Sequence, residues 1–534
     1  MVGARHDVHS HAHEEGVPGT VNLQAREGEE THYGQALYPV PSSDPNDPLQ
    51  WPAWKKNAIL ALCAIYSFLG NSALLGPSVY IGIYVEQFGV DPNTAAGLIN
   101  YANLAFGFGS LILVPLYQKF GRRPVMLFSL VAYAAGLIGA SQATTYSGLM
   151  GARVVHSFGS GICEALPVQL VNDIFFLHER GKKLGWYTAA LCLGATGPMW
   201  AGFMLSGGYS WPLFFYVEFA FAMALLIAAF FLVEESSYKR TFPAPFVSTS
   251  PTDEKPVAME TEVQSDSSPP ASIPPRKTWA QQLKVYNGVD HDAPFFSTML
   301  RCFTYLLIPS MFWVITTYGL FIGLCALTFN FVFPIKIVAP PYAWSESNSG
   351  LIAIGTILGY LLALPFLPAS DRLAARLTKK NNGIREAEMR LGVLYPALII
   401  APAGLILFGM TAEKDLHWIG YFFGVGMVQW AAYFYFTVTL AYAVDSYTAN
   451  LSEFLIIANL GKQAVSFGLG LEVLNWILQS GYAKIICGAF TVTLFLNCVA
   501  VVPFMLFGKR IRVFTAGTWL ARMHASTAVK GQSH

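Results

Sequence analysis

Glu164 and Arg153 are the strongest candidates for a chemical role in this sequence, because both are charged residues inside a long apolar segment, Ala152–Lys183. At about 100° per helical residue, Arg153, Ser157, Ser160 and Glu164 share one helix face. A charge at the centre of a bilayer costs at least about 2.5 kcal/mol, so this stripe should face a bundle interior or an aqueous cavity. A carboxylate there could carry a proton or bind a substrate. A polar contact that locks neighbouring helices is the alternative.

Other polar side chains are also embedded in apolar segments, and each is a candidate for the same pathway. Hydrogen bonding between helices would explain each of them equally well. Tyr433 belongs to an aromatic cluster that could line a pocket for a flat or cationic ligand, or simply pack between helices. The embedded polar residues are Asn71, Asn103, Glu218, Asn330, Gln429, Lys462 and Gln463.

The composition indicates that lipid surrounds much of the chain. Of 534 residues, 54% are hydrophobic and only 12% are charged, whereas soluble proteins carry about 25% charged residues. The net charge of +1 gives no reason to expect nucleic acid as a partner. The seven cysteines form no C-x-x-C pair, and no P-loop, H-E-x-x-H or G-x-S-x-G pattern occurs. We therefore expect no enzyme activity, no metal and no cofactor, and any uphill transport must use an ion gradient.

Apolar runs of about 20 residues, the length that crosses a bilayer, recur twelve times. They form two groups of six around a polar, Pro/Ser-rich linker. We predict an all-α integral membrane protein with an N-terminal tail at 1–55, largely disordered, a first half at 56–235 and a linker at 236–300. A second half at 301–508 and a tail at 509–534 follow. The runs lie near 57–80, 94–116, 124–143, 147–174, 184–206, 211–233, 311–334, 347–368, 391–411, 417–442, 453–477 and 483–507.

Lys and Arg concentrate in alternate loops, which predicts the orientation of the chain. The loops on one side include Arg180–Lys183 and Lys509–Arg512, whereas the opposite loops are nearly free of both residue types. Lys336, Lys414 and Lys484 are the exceptions. The positive-inside rule then places both termini and the central linker in the cytoplasm. The sequon at Asn450 would lie on the cytoplasmic side and should be unmodified.

The fifth run contains closely spaced small residues around a proline. Gly197 and Gly202 would let a neighbouring backbone approach closely, and Pro198 removes a helical hydrogen bond and favours a kink. Close helix packing is one interpretation of this pattern. A kinked helix that controls the path between two openings is the other.

These motifs together resemble the major facilitator superfamily, in particular the twelve-span drug:proton antiporters of filamentous fungi, over about residues 40–515. The loop KFGRRPVML resembles the gating-loop motif of that family through Gly121, Arg122 and Arg123, but Gln118 stands where the family has an acid. That departure puts the usual charge relay of the motif in question.

Two further spans contribute to the resemblance. The fourth resembles a family motif through Arg153 and Gly159, and the fifth resembles the antiporter motif through Gly197, Pro198 and Gly202. The resemblance implies two pseudo-symmetric six-helix halves, inverted repeats and alternating access to a central cavity. It also implies that an acid–base pair, Asp371 and Arg372, marks the equivalent loop of the second half.

On this basis the sequence predicts a proton-coupled exporter of small amphipathic organic molecules, such as toxins, drugs or secondary metabolites. Glu164 would exchange protons against substrate, while Gly197 and Pro198 would supply the gating movement. The transporter would act as a monomer, with the plasma membrane favoured over the vacuolar membrane. An uptake symporter for cationic nutrients such as polyamines is the alternative, in which Glu164 and Glu218 neutralise the cation. A non-transporting sensor on the same fold is a third possibility.

Overall fold

The computed structural model describes residues 20–22, 44–175, 177–238, 275–286, 288–290, 295–366, 368–381, 384–446, 451–516 and 518–519. Most of the predicted N-terminal tail, most of the central linker and the sequon at Asn450 lie outside the described residues.

Eleven helical segments within these residues are long and apolar enough to cross a membrane. Ile419–Ser446, a further helix of 28 residues, coincides with the predicted tenth span. Each of the twelve segments overlaps one of the predicted apolar runs, so the all-helical, twelve-span prediction is confirmed. In chain order they are α1 Ala53–Phe88, α2 Pro92–Phe120, α3 Arg122–Ser141, α4 Tyr146–Ile174, α5 Lys183–Ser206, α6 Pro212–Leu232, α7 Pro309–Val338, α8 Glu346–Lys380, α9 Ala387–Lys414, α10 Ile419–Ser446, α11 Glu453–Ser480 and α12 Ala483–Thr515.

Several short elements lie outside the spans. A 3₁₀ turn at Pro48–Gln50 precedes α1, and the helices Trp279–Gln282 and Phe295–Arg301 precede α7. Two strands that the sequence did not predict, β1 at Thr20–Asn22 and β2 at Ile384–Glu386, pair antiparallel. Each strand has only three residues, too few for a hydrophobic alternation to be visible in the sequence.

Within the described residues, eight spans depart from regular α-helix, among them α1, α4, α5, α7 and α12, and such departures are frequent at functional sites. In α4, four residues in turn conformation, 161–164, separate Tyr146–Ser160 from Ala165–Ile174. The spans α1 and α5 contain 3₁₀ segments, and α7 and α12 contain π-helical segments. These four segments are Gly76–Tyr80, Gly194–Thr196, Phe321–Ala326 and Ala483–Phe490.

Because consecutive spans run in opposite directions, their connections fall on two sides of the bundle. We call the side that carries residues 44–52, 233–238 and the end of α12 the tail side. The other side, which carries residues 89–91, 207–211 and 339–345, is the far side.

Glycines bring the spans together backbone against backbone. A Cβ added to Gly159 in α4 would lie 2.6 Å from the Tyr133 nitrogen of α3. On α2, a Cβ at Gly107 would lie 3.2 Å from Leu460 Cα of α11, in the opposite half. Small residues of this kind allow close packing of membrane helices without a polar interaction.

Candidate functional site

A cavity of about 140 Å³ lies between the two halves. The first half lines it with α1, α2, α4 and α5, and the second half lines it with α7, α8, α10 and α11. Seven of the ten candidate pathway residues line this cavity: Asn71, Asn103, Glu164, Asn330, Gln429, Lys462 and Gln463. The remaining three, Arg153, Glu218 and Tyr433, lie elsewhere in the bundle.

Glu164 and Lys462 form an ion pair inside this cavity and join the two halves. Their side chains are only 15% and 12% exposed, so each charge would be poorly solvated without the other. Glu164 is the last residue of the turn that interrupts α4. The amide of Asn459 in α11 donates to Gly161 O of the same turn at 3.3 Å. The break in α4 is thus held from the opposite half by two adjacent turns of α11.

Carboxamide and hydroxyl groups line the cavity beside this pair. The amides of Asn71 and Asn330 each donate to a carbonyl oxygen one turn earlier in their own helices, at 3.2 Å and 2.8 Å. In the second half, Tyr360 OH donates to Gln429 Oε1 at 2.9 Å. These bonds fix the orientation of the amide groups, as a binding pocket with few polar contacts requires.

Aromatic side chains of the second half complete the wall. Phe321 and Phe329 of α7 and Phe436 of α10 line the cavity. Tyr433 lies behind the wall, where its ring packs 5.6 Å from the ring of Tyr360. The predicted aromatic span therefore reaches the cavity through Phe436, whereas Tyr433 itself does not line it.

Arg153 is fully buried and lies outside the residues that line the cavity. Its guanidinium donates to the carbonyl oxygens of Leu98, Ala73 and Leu74 at 2.8, 3.3 and 2.8 Å. The last two carbonyls immediately precede the 3₁₀ segment of α1. Arg153 thus connects α4 to α1 and α2, and the predicted continuous stripe is divided because α4 is not a regular helix at Glu164.

Glu218 is also fully buried and is hydrogen-bonded by two hydroxyl groups. Ser72 of α1 donates at 2.7 Å and Tyr133 of α3 donates at 3.3 Å. The carboxyl group therefore links α6 to two spans of its own half, and it does not line the cavity.

The gating-loop motif forms a charged cluster at the tail side. Gly121 has φ +98°, a conformation that favours glycine. Immediately after it, the backbone N–H groups of Arg122 and Arg123 donate to Glu235 Oε1 and Oε2 at 3.0 and 3.1 Å. Glu235 follows α6, and its carboxylate caps the N-terminus of α3, where negative charge is favourable. An acidic residue thus contacts the motif, but it is Glu235 after α6. The position where the family has an acid is occupied by Gln118.

The side chains of the two arginines have separate partners. Arg122 Nε lies 2.7 Å from Asp173 Oδ2 at the end of α4. Arg123 is 1% exposed and donates to the carbonyl oxygens of Val233 and Gln282, both at 2.7 Å. The motif therefore ties α3 to the ends of α4 and α6 and to the segment before α7.

In the second half, the partner of Asp371 is different from the one predicted. Arg390 Nη1 lies 2.5 Å from Asp371 Oδ1, and its Nε lies 2.6 Å from Asp445 Oδ2 at the end of α10. Arg372, the neighbour in sequence, has an exposed side chain. Helical neighbours in sequence point in different directions, which explains why an adjacent pair is a poor guide to contact.

Sequence reasoning missed Glu235, Arg390 and Tyr360. Glu235 follows a long apolar run directly, in VEESS, and an acid immediately after a span is a signal that could have identified it. Arg390 lies in EAEMRL at the start of α9, where acidic and basic residues occur together, but their partners are set by the packing of other elements.

The motif of α5 packs against both halves. A Cβ at Gly197 would lie 2.4 Å from Ser72 O of α1, and one at Gly202 would lie 2.6 Å from Ser347 O of α8. The contact with α8 is reciprocal, because a Cβ at Gly350 would lie 2.1 Å from Pro198 O. Pro198 itself occupies the first turn of Gly197–Ser206, after a 3₁₀ segment. The two backbones thus meet at the far-side end of the cavity. This contact agrees with close helix packing and also with control of the path between two openings.

Comparison with known proteins gives a consistent result. The sequence profile of the Major Facilitator Superfamily matches residues 60–470. The chain is 24% identical to Protein HOL1 of Saccharomyces cerevisiae, with 97% of this chain and 99% of that protein aligned. It is 26% identical to Efflux pump FUBT of Fusarium oxysporum, over 86% of this chain and 74% of the pump.

Among solved structures, the chain resembles the xylose transporter XylE of E. coli in a partially occluded, inward-open conformation. The TM-score is 0.55 at 12% sequence identity, over 84% of this chain and 98% of XylE. This likeness shows that the two proteins have the same fold.

Proposed function

The chain belongs to the major facilitator superfamily, and we propose that this transporter exports small organic molecules in exchange for protons. The observation that carries the proposal is the ion pair between Glu164 and Lys462, which crosses the boundary of the two halves inside the cavity. In alternating access the two halves rock about such a central site. A charge pair at the boundary is therefore placed where a change of protonation can alter the relative stability of two conformations.

Protonation of Glu164 would remove one charge of the pair and release the ammonium group of Lys462. The halves would then lose an attraction that holds the closed arrangement around the cavity, because Coulomb attraction requires both charges. Return of the proton to solvent would restore the pair. Glu164 is thus proposed as the proton carrier. Lys462 is proposed as the group in the opposite half whose attraction to Glu164 depends on the charge of Glu164.

The chemistry of the cavity supports an uncharged or amphipathic cargo. Glu164 and Lys462 balance each other, carboxamides surround them, and Phe321, Phe329 and Phe436 supply apolar surface. The name of one relative, Efflux pump FUBT, supports export as the direction. Together these observations favour amphipathic organic molecules such as toxins, drugs or secondary metabolites.

Uptake of a cationic nutrient is the second candidate, and two contacts weigh against it. Glu218 was expected to help neutralise a cation, but its carboxyl group is buried away from the cavity. Glu164 is already paired with a lysine. A polyamine would therefore meet one compensated carboxylate among the described residues that line the cavity.

We also propose the plasma membrane as the location, with a monomer as the functional unit and both termini in the cytoplasm. The excess of Lys and Arg in the tail-side loops supports this orientation. The cytoplasmic mouth of the cavity would then lie on the tail side.

The experiment that tests export uses inside-out vesicles with an imposed pH gradient. An acid interior should drive accumulation of an amphipathic cargo, because protons leave as the cargo enters. Deletion of the gene should sensitise cells to the same compound. Transport that ignores the gradient would reject proton coupling, and a nutrient requirement after deletion would support uptake instead.

A further inference from the structure

Two buried polar groups of the cavity have no hydrogen-bond partner among the described residues. They are the side-chain nitrogen Nδ2 of Asn103 in α2 and the side-chain oxygen Oε1 of Gln463 in α11. The two residues are 2% and 3% exposed, and both line the cavity. A buried donor or acceptor that lacks a partner costs about 1–3 kcal/mol, so such groups are rare unless they have a use.

The spans that carry the two groups, α2 and α11, pack against each other across the boundary of the two halves. Gly107, one helical turn after Asn103, packs directly on Gln463, since an added Cβ would lie 3.2 Å from Gln463 Cβ. Gln463 also follows Lys462, whose ammonium group holds Glu164. One unpaired donor and one unpaired acceptor therefore line the same cavity as the ion pair, with one contributed by each half.

We propose that Asn103 and Gln463 form a recognition subsite for an uncharged group that both accepts and donates a hydrogen bond, such as a carboxamide or lactam. This inference deepens the proposed function and rests on it. The carbonyl oxygen of the ligand accepts from Asn103, and its N–H donates to Gln463. The apolar body of the ligand contacts Phe321, Phe329 and Phe436.

The other carboxamides of the cavity do not offer the same combination. The amide nitrogens of Asn71 and Asn330 already donate within their own helices, and Gln429 Oε1 already accepts from Tyr360. A ligand that bridges Asn103 and Gln463 would also connect the two halves. Its binding therefore favours the closed arrangement of the cavity, as an alternating-access cycle requires.

The test measures binding of two probes of nearly equal shape, phenylacetamide and benzyl methyl ketone. The ketone replaces the NH₂ group by CH₃, so it cannot donate to Gln463. Cys192 lines the cavity, and protection of its thiol from a maleimide reports occupancy in the purified full-length protein. Peptide mass analysis separates Cys192 from the other six cysteines.

The wild-type protein should bind phenylacetamide about fivefold more tightly than the ketone, the effect of about one hydrogen bond. Gln463→Leu should remove this preference. Asn103→Leu should weaken both probes about fivefold and leave the preference intact. Equal protection by the two probes, protection by neither, or an unchanged preference in Gln463→Leu would overturn the proposal.

A stability measurement distinguishes recognition from a structural role. Leu at either position removes an unpaired polar group, so the unfolding temperature in detergent should stay the same or rise. Asn497→Leu is the matched control, because Asn497 in α12 accepts from Thr317 at 2.5 Å and donates to Thr316 at 3.2 Å outside the cavity. It should lower the unfolding temperature and leave probe selectivity unchanged. A drop for Gln463→Leu as large as that for Asn497→Leu would show a structural role and overturn the inference.

The outcome is independent of proton coupling. Probe selectivity that disappears in Gln463→Leu, combined with transport that ignores a pH gradient, would reject the proposed export mechanism and keep this subsite. Gradient-driven transport without probe selectivity would keep the mechanism and reject the subsite.

Discussion

At the residue scale, the embedded charged residues Glu164, Lys462, Arg153 and Glu218 each have a specific partner, and the partners differ in kind. Glu164 and Lys462 are paired charges, whereas Arg153 is bonded to carbonyl oxygens and Glu218 to hydroxyl groups. Charges in a membrane protein are costly, so the type of partner indicates the role. A pair that faces a cavity can respond to protons and cargo, whereas groups sealed between helices of one half hold that half together.

The ion pair predicts a non-additive effect on stability. Lys462→Met leaves the Glu164 carboxylate without its partner and should lower the free energy of unfolding by about 2 kcal/mol, somewhat less than for a fully buried pair. The double variant Glu164→Gln/Lys462→Met should recover most of this loss, because no charge remains. The measurement is the unfolding temperature in detergent. A double variant that is less stable than the single one would contradict the pairing.

The second-half cluster gives a comparison between neighbouring arginines. Arg390→Ala removes a partner of both Asp371 and Asp445 and should lower the free energy of unfolding by about 1 kcal/mol, because solvent screens both carboxylates in part. Arg372→Ala, at an exposed position one residue from Asp371, should change it by less than about 0.5 kcal/mol. Thermal unfolding of the two variants side by side checks this. Equal losses of stability in the two variants would instead support Arg372 as the basic partner of Asp371.

At the element scale, the irregular segments of the spans create the site. The turn in α4 carries Glu164, the π-helical segment of α7 carries Phe321, and the 3₁₀ segment of α5 precedes Pro198. Contact between α5 and α8 then closes the cavity at the far side through paired backbones. A structural transition that opens the far side must separate these two spans.

A single methyl group should disturb this closure. Gly350→Ala would place a Cβ 2.1 Å from Pro198 O, which the backbone contact between α5 and α8 cannot accommodate. We expect the far side to stay open, so that a membrane-impermeant maleimide added on that side labels Cys192 in the cavity. Gly151→Ala is the matched control, since no neighbouring atom of the described residues lies within 4 Å of its added Cβ. Identical labelling of both variants would show that this contact does not close the cavity.

The sequence located the spans well because a run of about 20 apolar residues is a one-dimensional signal. It could not identify the partner of Glu164, since Lys462 is 298 positions away and no local pattern links them. The predicted stripe on α4 assumed a constant rotation of about 100° per residue. The helix is interrupted by a turn at residues 161–164, so Glu164 does not continue the face that carries Arg153. Seven of the ten candidate pathway residues line the cavity because polar groups in spans tend to face bundle interiors, but composition cannot separate a cavity from a helix contact.

At the scale of the whole molecule, charge distribution predicts the orientation. The charged clusters around Arg122 and Arg390 lie on the tail side, near the ends of the spans that the Lys- and Arg-rich loops connect. We expect an epitope tag at either terminus to be accessible only after the plasma membrane is permeabilised. An epitope inserted between α5 and α6, near Gly208, should be accessible in intact cells. The reverse pattern would invert the proposed direction of transport.

Proton coupling through Glu164 is the central claim, and it is tested most directly by comparing two modes of transport in the same proteoliposomes. Glu164→Gln cannot exchange a proton, so it should lose accumulation driven by a pH gradient and retain exchange of labelled for unlabelled cargo without a gradient. Glu86→Gln, an exposed glutamate of α1, should behave like the wild type in both modes. Gradient-driven accumulation by Glu164→Gln at the wild-type level would contradict the proposed coupling.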